Sequence, residues 1–174
     1  MARPVEEPAR QTRFVTAVLP HLDAAYNLAR WLTGNDHDAE DVVQEAYLRA
    51  LRFFDGFHGD DGRTWLLAVV RNTCFTWLKR NRRPTVPLRD ELNVPAGDAF
   101  DPTRSLQAGA DGEALHAALE HLSLEFREAI VLRELEGLSY KKIAAVTGVP
   151  MGTVMSRLAR GRDLLRRALE ESDR

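Results

Sequence analysis

The sequence predicts an all-α protein of two small helical domains joined by a flexible linker. Three observations carry this reading. Apolar residues recur three and four positions apart through nearly every patterned segment. Prolines and glycines crowd one central stretch, positions 84–112. Near the far end a capped short helix, a glycine turn and a longer basic helix follow one another. A chain of 174 residues can bury two modest cores. The expected division is a flexible N-terminal tail at 1–13, a first domain at 14–83, the linker at 84–112 and a second domain at 113–174.

In the first domain Leu22, Tyr26, Ala29 and Leu32 mark an opening helix, which Gly34-Asn35 should stop. A second helix is expected from Asp38 as N-cap, with Val43, Ala46, Tyr47, Ala50 and Phe54 inward. The aspartates and glycines of positions 55–62 read as a loop. A third helix should run over about 63–81 with Leu66, Val69, Val70, Thr73, Trp77 and Leu78 inward, and Pro84 should end it.

Pro84, Pro87, Pro95 and Pro102 interrupt any helix across the linker, and Leu88, Leu92, Val94 and Phe100 give it apolar points for docking in a groove. Beyond it, Leu115, Ala118, Leu119 and Leu122 mark a helix, and Ser123 caps another that carries Phe126, Ile130 and Leu135 and ends at Gly137. Ser139 caps a short helix with Ile143, Ala144 and Val146. Gly148 then makes a sharp turn and Pro150 opens the last, long helix.

Bulk properties exclude several classes. No run reaches the roughly eighteen apolar residues a membrane helix needs, and positions 1–13 are charged, so neither membrane insertion nor a signal peptide is expected. The protein is expected to be cytosolic. Cys74 is alone and sits in an apolar helical pattern, as a buried reduced thiol would. The net charge of −2 hides an uneven distribution. Arg71, Lys79, Arg80, Arg82 and Arg83 face no acid across positions 71–83, while Arg157, Arg160, Arg162, Arg166 and Arg167 face only Asp163. Acids gather elsewhere, at Asp36, Asp38, Glu40, Asp41 and Glu45. Two basic patches separated by acidic surface suit a protein that touches DNA twice and another partner between.

At one hundred degrees per residue, Val154, Leu158, Gly161 and Leu165 share one side of the last helix. Ser156, Ala159 and Arg160 fall on the opposite side, flanked by Thr153 and Arg157, where a helix in the major groove meets base edges and phosphates. Arg160 has the fork that pairs with guanine, and Ser156 can bond a base or a phosphate. Helix-end electrostatics accounts for Arg166 and Arg167 better than for Arg157 and Arg160. In the first domain, Asp41, Gln44 and Glu45 place two carboxylates and an amide on a helix whose apolar face is already complete.

The run 132–140 (Leu-Arg-Glu-Leu-Glu-Gly-Leu-Ser-Tyr), Ile143-Ala144, Gly152-Thr153-Val154 and Ser156-Arg157-Leu158 resemble the fourth domain of extracytoplasmic-function sigma factors. Positions 14–83 resemble the second sigma domain. The resemblance implies that the last helix reads the minus-thirty-five promoter element through Met155, Ser156, Ala159 and Arg160. Some relatives carry an arginine at the position of Met155 and an aromatic at that of Ala159, so the base preference here should differ. It also implies that Asp41, Gln44 and Glu45 grip the coiled coil of the largest subunits of core RNA polymerase. The third helix and its preceding loop would take an extruded minus-ten base, with Asn72 helping to select it and Arg71, Lys79 and Arg80 on phosphates. Ala68 and Val69 stand where primary sigma factors carry a melting tryptophan pair, and Trp65 is expected in the core. An anti-sigma protein is an expected partner by the same resemblance, and no cofactor is expected.

Two other classes compete. The cluster His37, Asp38, Glu40 and Asp41 and the pair Asp60-Asp61 allow a metal-dependent enzyme, but no metal-ligand or phosphate-cradling motif accompanies them. A stand-alone helix-turn-helix regulator fits the second domain equally. It leaves the acidic helix and the basic third helix without a task.

Overall fold

The computed structural model describes residues 6–81 and 102–172, with backbone only for 6–7, 102–111 and 172. Among the described residues every regular element is helical. The first domain holds α1 (Glu6–Val18), α2 (Leu22–Thr33), α3 (Asp36–Phe53) and α4 (Gly62–Asn81), and the second α5 (Pro102–His121), α6 (Leu124–Ile130), α7 (Tyr140–Thr147) and α8 (Met151–Ser172). A single π-turn, Val131–Leu135, continues α6.

Residues 6–13, expected as flexible tail, are instead the start of α1. Their arginines find acceptors across the bundle: Arg10 donates to the Asp55 carboxylate and the Leu51 carbonyl, both at 2.7 Å, and Arg13 lies 5.3 Å from the centre of the Phe54 ring. Phe14 and Val18 then bury the helix's inner face. In α2 the buried side is Ala25, Leu28, Ala29 and Leu32, whereas Leu22 points outward at 48 % exposure. Gly34 closes this helix at φ 88°, a left-handed conformation that glycine adopts without strain.

The cap of α3 is Asn35 rather than Asp38: the Asn35 side chain accepts from the Asp38 N–H at 2.8 Å. Asp38, held in turn by the Asn35 amide, lies inside the first turn, where its charge complements the helix dipole. Val43, Ala46 and Ala50 of the expected α3 stripe are buried, joined by Ala39 and Val42, while Tyr47 is half-buried and the buried Phe54 lies just past the helix end. At the start of α4 Asp61 accepts from both the N–H and the hydroxyl of Thr64, at 3.0 and 2.7 Å. Leu66, Leu67, Val70, Thr73 and Cys74 then bury the helix, with Val69, Trp77 and Leu78 half-buried. Burial pushes the Cys74 thiol up to about 12, so it is an inert core group.

The linker expectation fails at its far end. α5 already begins at Pro102, because proline at a first helical position loses no hydrogen bond, and Ser105 to Ala108 are compatible with helix. The rest of the expected linker, the docking residues Leu88, Leu92, Val94 and Phe100, and Arg82 and Arg83, lie outside the described residues. Ser139 caps α7 by accepting from Lys142 N–H at 3.2 Å, and Gly148 turns the chain at φ 73°. Along α8, Val154 and Leu158 are 1 % exposed and Gly161 is buried against Ile130 and Phe126. Leu115 and Leu135, expected inward, are exposed.

The apolar core runs without a break through both domains, with α2 packed on α6 and α4 on α7. Polar links reinforce the contact. Arg127, buried, donates to the Leu119, Glu120 and Leu122 carbonyls of its own domain and to the Trp31 carbonyl of the other. Arg63 reaches the Glu136 carboxylate at 2.7 Å and its carbonyl at 2.9 Å, Lys142 meets Asp61 at 3.0 Å, and the Trp31 and His116 rings lie 4.8 Å apart.

Candidate nucleic-acid and protein interfaces

The helix-turn-helix presents its second helix as the periodicity requires. With Val154 and Leu158 sealed in the core, Met155, Ser156, Ala159 and Arg160 are exposed and Thr153 is half-buried. Arg157 behaves differently. Its guanidinium turns to α6, 3.6 Å from Glu128 and 3.5 Å from Glu125, and its side chain is 17 % exposed. Ser156 donates to the Thr153 carbonyl at 3.0 Å, so its oxygen remains available as an acceptor.

On α4, Asn72 is exposed, as are Lys79 and Arg80 in the last turn. Arg71 also turns inward. Its Nε and Nη2 fork onto the two oxygens of Glu128 at 2.9 and 3.1 Å, and its guanidinium covers the Phe75 ring at 3.7 Å. Glu128 itself is wholly buried; burial raises its pKa, against the pull of Arg71 and Arg157.

Phe57, Gly59, Asp60 and Asp61 of the loop before α4, with Thr64, Trp65 and Ala68 of its first turns, form one wall of a cleft of about 550 Å³. The other wall is α7, through Ser139, Lys141, Lys142 and Ala145. Trp65 packs on Phe57 and Phe54, 5.2 and 6.1 Å between ring centres, and lines the cleft as well. Burial alone would raise Asp61, but the Thr64 hydrogen bonds and the Lys142 ammonium bring its carboxyl down to about 2, so it is an anion at any physiological pH.

A second, larger groove of about 790 Å³ runs between α2 and α3. Gln44 and Glu40 stand on its rim with Asp23 and Asn27, and Leu22, Tyr26, Val43, Leu48 and Leu51 line it. Asp41 and Gln44 are exposed. Glu45 is half-buried and pairs with Arg49, and His37 lies 3.7 Å from Asp41. Leu22, Leu48 and Leu51 are exposed along this groove; the sequence reading placed Leu22 inward and did not single out Leu48 or Leu51. Leu48 and Leu51 fall outside the buried stripe of α3, and that was the available signal. Among the described residues no group of three or more His, Cys, Asp or Glu is placed to hold a metal ion, and no helix is long and apolar enough to cross a membrane.

The second bundle carries a helix-turn-helix, the motif of many DNA-binding proteins, and the first carries an acidic-rimmed apolar groove. Residues 17–84 match the family Sigma-70 region 2 and residues 112–165 match Sigma-70, region 4. The ECF RNA polymerase sigma factor SigE of Mycolicibacterium smegmatis is 40% identical over 152 residues, covering 86% of this chain, which spans 58% of that protein's length. The ECF RNA polymerase sigma-E factor of Escherichia coli K12 is 37% identical over 137 residues, 74% of this chain and 72% of that protein. The sigma factor RpoE from Bartonella quintana, solved in complex with the anti-sigma factor NepR, superposes with a TM-score of 0.70 at 30% identity, over 90% of this chain and 96% of that one. CnrH in complex with the cytosolic domain of CnrY gives 0.68 at 28% identity, over 94% and 91%. The chain belongs to the extracytoplasmic-function sigma factors of the sigma-70 family.

Proposed function

We propose that this protein is an alternative sigma factor that brings core RNA polymerase to promoters carrying its own minus-ten and minus-thirty-five elements, and performs no bond chemistry itself. The observation that carries the reading is the two-sidedness of α8. Its apolar residues are spent in the core while Ser156, Ala159 and Arg160 are left facing outward at the spacing of a groove-reading helix. Met155, in place of an arginine, adds apolar contact instead of a charge, which favours a thymine methyl over a guanine at that step.

Core polymerase docks in this reading on α3. A basic partner helix lays its apolar face over Leu22, Leu48 and Leu51 while Asp41, Gln44 and Glu45 bind its polar edge. Asn72 and the loop before α4 receive the minus-ten base, with Lys79 and Arg80 on phosphates. Two structural relatives were solved with NepR and with CnrY, and an anti-sigma partner is proposed here by that likeness. The place of action is the cytoplasm, with the polymerase.

Replacing Gln44 by alanine together with Glu45→Lys is expected to abolish pull-down of core polymerase while leaving the helical circular dichroism intact; retained pull-down refutes the α3 site. Arg160→Ala should weaken binding to the minus-thirty-five element of a cognate promoter by about 1 to 3 kcal/mol, read by fluorescence anisotropy. Run-off transcription with core polymerase and a library of promoter fragments tests the whole reading.

A further inference from the structure

The minus-ten surface and the helix-turn-helix are not independent in this structure: α7 forms the far wall of the cleft beside α4, and Arg71 is committed to Glu128. We propose that the free chain closes on itself, its second domain masking the minus-ten surface of the first, with Arg71 as the switch that holds either Glu128 or a DNA phosphate. This rests on the minus-ten reading above.

Three features make the closed state a discrete and reversible one. Glu128 is wholly buried and requires a cation, and it has two candidates: Arg71 from the other domain, bidentate, and Arg157 from its own, at 3.6 Å. The Nη1 of Arg157 is buried and makes no hydrogen bond in the closed arrangement. When the domains part, Arg157 can move onto Glu128 and satisfy both groups, so losing Arg71 strands no buried charge. Glu128 therefore has a partner in each state, which is what a two-state element needs.

One further link across the contact is open to water. Lys142 and Asp61 are 53 % and 42 % exposed at the side chain, and ion pairs open to water contribute little. The contact joins these ion pairs to the apolar packing of α2 on α6 and α4 on α7, so opening it exposes apolar surface that a partner must cover. The Bartonella relative superposes across 90% of this chain, a span that takes in both domains, so a comparable arrangement exists in a sigma factor held by its anti-sigma partner. Here the chain's own apolar packing and ion pairs supply the closure.

The test uses the full chain with a charge swap at the Arg63–Glu136 pair, which lies outside the residues assigned to DNA. Arg63→Glu, Glu136→Arg and the double variant are compared with wild type by small-angle X-ray scattering. Each is also titrated with a single-stranded DNA carrying the nontemplate minus-ten element of a promoter selected by run-off transcription, and with a scrambled strand. Arg63→Glu should expand the chain and bind the cognate strand about five- to tenfold more tightly, although it removes a positive charge, and the double variant should return both readouts to wild type. Lys142→Glu, at an exposed position, repeats the test without disturbing a buried group. Compact single variants, or expansion with cognate affinity unchanged from a measurable wild-type value, overturn the inference. Expansion with no binding of the cognate strand by any form, wild type included, instead sinks the minus-ten reading and the inference with it.

Discussion

Glu128→Ala is expected to destabilise the folded chain by about 3 kcal/mol at neutral pH. The carboxylate is fully buried and neutralises the guanidiniums of Arg71 and Arg157, each with 17 % of its side chain exposed. Truncation leaves two like charges facing an emptied site, with only Glu125, itself 59 % exposed, still near Arg157. The partial exposure of both arginines sets the expectation at the lower end of the range for broken buried pairs. Urea unfolding followed by circular dichroism measures it, and a change under 1 kcal/mol would mean that Glu128 is not the charge on which this contact depends. The pH dependence has a definite sign. Burial first, opposed by the two arginines, holds the native pKa of Glu128 above its ordinary 4.5. The stability it contributes through protonation is therefore full below 4.5 and is lost as pH rises through the native value. Glu128→Gln removes this dependence, so the stability of wild type measured against that variant should fall as pH rises through that window.

Gly62→Ala is the second large effect, expected at about 2 to 3 kcal/mol or more. A Cβ built at Gly62 would lie 1.9 Å from the Ala17 carbonyl oxygen and 2.8 Å from its carbon. Both are backbone atoms, which cannot rotate aside, so α1 and α4 would have to separate. The separation would loosen Phe14 and Val18 in the core and shift Phe14 at the edge of the α2–α3 groove. Thermal unfolding reads the first effect and polymerase pull-down the second. Unchanged unfolding would contradict the close approach of the two helices. Among the glycines described, Gly62 alone meets backbone at such a distance; the left-handed Gly34, Gly137 and Gly148 face open space.

The helices of both domains and the helix-turn-helix were legible because their cues are local. Gly34 and Gly148 adopt the left-handed turns their positions call for, Ser139 caps α7 by its hydroxyl, and Val154 and Leu158 fall inward at helical spacing. Local cues also misled where several candidates compete. Asn35 took the cap from Asp38 because both can accept from a helix N–H and only chain direction chooses between them. Residues 6–13 are charged enough to read as a tail, yet the acceptors that hold Arg10, at Asp55 and Leu51, lie far along the chain.

The same distinction governs the candidate site. Asn72, Lys79, Arg80, Met155, Ser156, Ala159 and Arg160 stand outward as residues off an apolar stripe should. Arg71 and Arg157 lie on similar stretches of their helices but turn toward Glu128, fifty-seven residues from Arg71 in sequence. Periodicity reports which side of a helix avoids water. It carries no information about which distant charge will share a buried site, or which domain will cover a cleft. The sequence alone therefore determined most of the helices, the Ser139 cap and the family. Only the tertiary structure decided that the two domains close on one another through the Arg71–Glu128–Arg157 cluster, because ion pairing and domain packing depend on groups brought together in space and leave no repeat along the chain.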